Sequence, residues 1–129
     1  MPVPEAGMSV RVVLVEDNDR FRETLELVLG MRDEIEVVGS VRTGDEAPQA
    51  CIALSPDVVL MDYRMPGLNG AEATRAVLAA APTTRVICLT ASVTAQEADE
   101  VRAAGAVACV TKDGDYDSLV ATVCEAAAK

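Results

Sequence analysis

Asp57-Val58-Val59-Leu60-Met61-Asp62-Tyr63-Arg64-Met65-Pro66-Gly67-Leu68-Asn69-Gly70 is the stretch that decides the fold. Its apolar run, Val58 to Met61, lies between two acids and shows no alternation with polar residues. A strand wet on one face alternates, whereas an unbroken apolar run suits a strand covered on both faces. Tyr63 to Gly70 then carries a proline and two glycines and reads as a turn-rich loop. An alanine-rich helix is expected from about Ala71 to Ala81, closed by Pro82. A buried strand, a loop and a helix form the repeating piece of a parallel sheet.

The same piece recurs on either side. Toward the N-terminus, Val10 to Val15 is a β-branched strand. The acidic turn Glu16-Asp17-Asn18-Asp19 follows, then Phe21, Leu25, Val28 and Leu29 at helical spacing, with Gly30 near the end. Ile35 to Val38 is a second strand, and Thr43-Gly44-Asp45-Glu46 has the form of a capping box opening a helix to about Leu54. Ser55-Pro56 stops it. Toward the C-terminus, Arg85 to Thr90 is a fourth strand, and Thr94-Ala95-Gln96-Glu97 is another capping box, opening a helix to Gly105. Ala106 to Thr111 is a fifth strand, followed by Lys112, and the last helix carries Leu119, Val120, Val123 and Ala127 on one side.

Five strand–helix units are too few for an eight-stranded barrel. Right-handed crossovers leave an open, doubly wound parallel sheet with helices on both faces. The expected fold is α/β, one flavodoxin-like domain of five strands in the order 2-1-3-4-5. Neither GxGxxG nor GxxxxGK[ST] occurs, so a dinucleotide or nucleoside triphosphate site is not indicated. Residues 1–9 read as a loose lead-in and residues 10–129 as the domain.

Composition narrows the function. The chain has 129 residues, 21 acidic and 11 basic, and no histidine, for a net charge of −10. Histidine-dependent triads and imidazole metal sites are excluded. The charge opposes direct binding of nucleic acid or an anionic membrane. No signal peptide or apolar run of membrane-spanning length occurs, so a cytoplasmic protein is expected. Cys51, Cys88, Cys109 and Cys124 form no CxxC pair, and three of them read as small core residues.

Ligand sites in such sheets lie at the carboxyl ends of the strands, near the switch point in strand order. The expected topology gathers Glu16, Asp17, Asp62, Thr90 and Lys112 there. Three carboxylates in one cleft repel unless a cation sits among them, and their hard oxygens suit Mg²⁺ or Ca²⁺. An incomplete cage with an open side fits Mg²⁺ better, because Mg²⁺ keeps waters and accepts phosphate oxygens. Lys112 adds a second positive charge, and the Thr90 hydroxyl can donate to an added oxygen. The set suits an incoming phosphoryl group with a carboxylate nucleophile. Individually the residues have plainer readings: Asp17, Asn18 or Asp19 as a helix cap, Asp62 as a turn residue, Thr90 as a cap or strand residue.

Together, Glu16-Asp17, Asp62-x-x-Met65-Pro66-x-x-x-Gly70, Thr90-Ala91 and Lys112 resemble the receiver domain of bacterial two-component response regulators, most nearly the LuxR/NarL-type subgroup. The resemblance covers residues 10 to about 127. It implies that Asp62 accepts a phosphoryl group from a sensor histidine kinase. It implies Mg²⁺ (or Mn²⁺) held by Glu16, Asp17, Asp62 and the Arg64 backbone carbonyl. Thr90 matches the switch hydroxyl, Lys112 the phosphoryl-pairing cation, and Ala91 a position kept small. Arg64 and Ser92 match positions that tune acyl-phosphate lifetime. The implied output surface is the fourth helix, fifth strand and fifth helix, for an output domain or a homodimer.

Two residues depart from the pattern. Cys109 stands where relatives carry an aromatic ring that turns inward, and Asp113 stands where many carry proline, so a cis peptide after Lys112 is not expected. A phosphorylation-independent binding module is the alternative. A flavin carrier is disfavoured by the three aromatic residues. Members of the subgroup carry a helix-turn-helix domain after the receiver, and none is read in this chain, which either stands alone or lacks that module.

Overall fold

The computed structural model describes residues 9–92 and 94–128. Apart from Ser9, the expected lead-in lies outside the described residues. The strands are β1 (Val10–Val15), β2 (Ile35–Val41), β3 (Val58–Asp62), β4 (Arg85–Thr90) and β5 (Ala108–Thr111). The helices are α1 (Asp19–Gly30), α2 (Ala47–Leu54), α3 (Gly70–Ala80), α4 (Ala95–Ala103) and α5 (Tyr116–Ala127). The strands form one parallel sheet in the order β2-β1-β3-β4-β5, as the sequence predicts.

Two separate cores follow from the alternation of side chains across the sheet. One face buries Val13, Val15, Val59, Met61, Val86 and Cys88 against α2, α3 and α4, through Ala47, Cys51, Ala73, Val77 and Val101. The other buries Val12, Leu14, Leu60, Ile87 and Leu89 against α1 and α5, through Leu25, Leu29, Val120 and Val123. The unbroken apolar runs of β1 and β3 thus serve two cores at once, which is why they do not alternate.

The differences from the expected elements have local causes. Strand β2 runs on to Val41, because its register with β1 shifts between Val12↔Val37 and Val13↔Gly39, a bulge that re-aligns the second half. The capping box expected at Thr43 does not open α2. Thr43 Oγ1 accepts from the Glu46 amide at 3.3 Å within a turn, and the helix starts at Ala47, with Pro48 in its first turn. Thr94 does cap α4, but its glutamate partner is engaged elsewhere. The buried stripe of α1 is Arg22, Leu25 and Leu29, with Phe21 and Val28 half-buried, so a cation occupies a place given to apolar residues. Of the cysteines, Cys51 and Cys88 are buried, Cys109 and Cys124 half-buried, and all four are free.

Candidate phosphoryl-acceptor site

The carboxyl ends of β1 and β3 carry the acids, and the residue after β5 carries the cation. Glu16 directly follows β1 and is 2 % exposed, and Asp62 ends β3 at 3 % exposed. Asp17 stands exposed at the rim. It is not the cap of α1: Asn18 is, accepting from the Phe21 amide at 2.9 Å. Asp17 is therefore free to face the cleft. Glu16, Asp17 and Asp62 each present an oxygen within 4.8 Å of the others.

Lys112 closes the cluster from the β5 side. Its Nζ lies 2.8 Å from Glu16 Oε1 and 3.1 Å from Asp62 Oδ1. The ammonium also sits 4.7 Å from the centroid of the Phe21 ring, a cation–π contact that fixes the long side chain. Burial alone would lower the Lys112 pKa, but the bonds and charges of Glu16 and Asp62 outweigh it and hold it above the ordinary value. Asp62 goes the other way. Burial first, then the adjoining Glu16, push its pKa up to about 7, and Lys112 only partly offsets this. One ammonium does not neutralise three carboxylates.

That imbalance is the test of fit for a divalent cation. The donors are hard oxygens, one ligand is exposed and two are buried. Glu16 Oε1 is buried with no well-angled hydrogen bond, although it touches the ammonium. A buried carboxylate oxygen that lacks a full partner suits a metal ligand. The cleft is lined by Glu16, Asp17, Asn18, Asp62, Arg64, Ala91 and Lys112 and has a volume of about 400 Å³. These residues fit Mg²⁺.

The loop after β3 is built to hold Asp62 in place. The Tyr63 amide donates to Leu89 O at 2.8 Å, and the Gly70 amide donates to Tyr63 O at 2.7 Å, which closes the loop on itself. A Cβ on Gly70 would meet Tyr63 Cα at 2.7 Å, so only glycine permits this closure. Asn69 and Glu72 form a full capping box for α3, with bonds of 2.9 and 3.0 Å.

Thr90 is the one expected member that does not face the cluster. Its one hydroxyl proton is shared between Glu97 Oε1 and Ser92 O, each 3.2 Å from Thr90 Oγ1. The Arg64 side chain is drawn the same way, with its guanidinium 2.8 Å from Glu97 Oε2. Sequence reasoning missed two residues here. Glu97 read only as the end of a capping box, yet it is 8 % exposed and bonds two of the expected site residues. Arg22 was not singled out, yet its guanidinium donates to Glu16 O at 3.1 Å beneath the acids. Its placement three residues before Leu25 and seven before Leu29 was the available signal. Cys109 pairs in register with Cys88, and no peptide among the described residues is cis.

A doubly wound sheet of order 2-1-3-4-5 with three acids and a lysine at its carboxyl edge defines a class, and comparison with known proteins identifies it. Residues 12–124 match the model of the response regulator receiver domain. The transcriptional regulatory protein LnrK of Bacillus subtilis (strain 168) is 34 % identical over 114 residues, which are 88 % of this chain and 52 % of LnrK. The signal receiver domain of NarL from Mycobacterium tuberculosis superposes with a TM-score of 0.88 at 33 % identity, covering 93 % of this chain and 97 % of that one. A LuxR-family two-component response regulator from Aurantimonas sp. SI85-9A1 gives a TM-score of 0.88 at 30 % identity, covering 93 % and 86 %. The chain belongs to the response regulator receiver family of two-component systems, and within it resembles the LuxR/NarL-type members. It spans about half the length of the curated relatives it matches.

Proposed function

We propose that this chain accepts a phosphoryl group on Asp62 from the phosphohistidine of a sensor histidine kinase, and that the acyl phosphate switches its α4–β5–α5 surface. The carrying observation is the joint presence of three carboxylates within 4.8 Å and a lysine bridging two of them. Asp62 is the acceptor because it is central. It contacts Lys112 and adjoins Glu16, and the loop anchored at Tyr63 and Gly70 fixes its backbone.

An Asp62 Oδ attacks phosphorus in line with the phosphorus–nitrogen bond of the donor. That bond breaks, and its electron pair leaves with the imidazole, which takes a proton. Lys112 neutralises charge on one equatorial oxygen and stays in place, since Phe21 holds it. Glu16, Asp17 and the Arg64 carbonyl, with Asp62, would hold Mg²⁺, which supplies charge neutralisation for the other phosphoryl oxygens. The Thr90 hydroxyl then donates to the phosphoryl group. This requires it to leave Glu97. The new group brings about −1.5 to −2 of charge and three acceptor oxygens, enough to bias a two-state surface.

The output is proposed to be transcriptional, through contact with a DNA-binding module or a second copy rather than through this acidic domain. The test is incubation with acetyl phosphate and Mg²⁺, read by intact mass. An 80 Da adduct on the wild type that is absent in Asp62→Asn is expected. No adduct with wild type in excess donor and Mg²⁺ refutes the proposal, and partner binding unaffected by Asp62→Ala would favour a phosphorylation-independent module.

A further inference from the structure

Two helices of this protein begin with the same kind of motif, and only one completes it. At α3, Asn69 caps the Glu72 amide and Glu72 returns a bond to the Asn69 amide at 3.0 Å. At α4, Thr94 caps the Glu97 amide at 3.1 Å, but the Glu97 carboxylate is turned inward to Thr90 and Arg64. Forgoing the return bond leaves an N-cap donor without its usual side-chain partner. What Glu97 holds instead is the hydroxyl of Thr90, at the end of β4, and the guanidinium of Arg64, a residue that lines the acidic cleft.

We propose that Glu97 is a positioning residue that keeps the unphosphorylated arrangement. One carboxylate oxygen holds the Thr90 hydroxyl and the other holds the Arg64 guanidinium, so both are tied to α4. This deepens the function proposed above and rests on it. The Glu97 side chain is 11 % exposed, so water competes weakly for its oxygens. A second tie joins the same two elements: Tyr63 Oη donates to Glu100 Oε2 at 2.7 Å. The loop after β3 is thus strapped to the first two turns of α4 by acids of that helix.

The consequence is a linkage. The single Thr90 hydroxyl proton cannot be donated to a group on Asp62 while Glu97 holds it. Whatever strengthens the Glu97 bonds weakens the affinity of the cleft for a phosphoryl group, and the reverse follows by reciprocity. Release of Glu97 frees the first turn of α4, so the helix registers the state of the cleft through one side chain.

The experiment uses beryllium fluoride with Mg²⁺ as the phosphoryl probe, titrated by amide and methyl NMR. Glu97→Ala is expected to bind the probe about tenfold tighter, corresponding to ~1.4 kcal/mol. Before any probe is added, its Thr90 methyl resonance should already move toward the position that wild type reaches on saturation. Glu97→Gln keeps shape and a weaker neutral acceptor, so a gain of roughly two- to fourfold is expected. Loss of a negative charge near the cleft would also favour an anion, and Thr90→Val separates the two effects. In that background Glu97→Ala should change the affinity by less than about twofold. An equal gain with and without Thr90, or no gain in either folded Glu97 variant, overturns the proposal. Wild type that binds no beryllium fluoride at saturating Mg²⁺ overturns the function itself, a distinct result.

Discussion

Asp62→Asn is expected to make the metal-free protein more stable at neutral and higher pH. Asp62 is 3 % exposed and adjoins Glu16, with Asp17 at the rim and one ammonium for all three acids. Its pKa is raised from 3.8 to about 7. The folded protein therefore binds a proton that the unfolded chain has already released above pH 4, and stability falls as pH rises from about 4 to about 7. Above that range the full cost of the buried charge is present. Each pKa unit corresponds to about 1.4 kcal/mol, and solvent at the open rim of the cleft screens much of the total. We expect about 1–2 kcal/mol of stabilisation from Asn near pH 8, or a Tm rise of roughly 3–10 °C. Near pH 5 a protonated Asp62 resembles Asn, so the difference should shrink to about zero. Lys112 keeps Glu16 as a partner at 2.8 Å, so the variant leaves no unpaired ammonium. Thermal melts at several pH values, with chelator and then with Mg²⁺, provide the assay. Mg²⁺ should raise the wild-type Tm more than that of Asn, because wild type retains the third acid. A variant less stable than wild type at pH 8, or an advantage that does not change with pH, refutes the reasoning.

Two further outcomes follow from the site. Asp17→Asn should weaken Mg²⁺ binding by about tenfold or more in a titration, yet move the apo Tm little, since Asp17 is exposed and caps no helix. Gly70→Ala should cost about 1–3 kcal/mol in denaturant melts and slow phosphorylation by acetyl phosphate, because the added Cβ meets Tyr63 Cα at 2.7 Å and must displace the loop behind Asp62.

Much of the architecture was legible because the apolar runs of β1 and β3 admit one solution. A strand with no polar side must serve two cores, and the helices found on both faces supply them. Topology then fixed which strand ends meet, so Glu16, Asp17, Asp62 and Lys112 could be grouped without coordinates. Side-chain direction was not legible. Thr90 ends β4 as expected, yet its hydroxyl turns to Glu97, because a rotamer is decided by the partner within reach and not by the strand. Glu97 was obscured by its own motif: the spacing Thr94-x-x-Glu97 has a complete local explanation, which the structure uses only in part. Arg22 was obscured by its charge: its spacing from Leu25 and Leu29 puts it on the buried stripe of α1, but a guanidinium is not read as a core side chain. The capping box at Thr43 failed for a simpler reason. Pro48 sets the start of α2 by fixing a backbone angle, and this outweighs the hydroxyl of Thr43.

Strand β5 has four residues, and none is fully covered, while the last four residues of β1 and all of β3 are. The fixed acids therefore stand on the best-protected strands, whereas Lys112 follows the thinnest one. Amide hydrogen exchange should slow from the β5 edge toward β1 and β3, with opening of β5 and α4 costing less than global unfolding. Under the proposed function, a signal written at the ends of β1 and β3 would be read out by β5 and α4, the less protected elements. Such a molecule can respond to a small local charge without risking the cooperative unit that holds the charge in place.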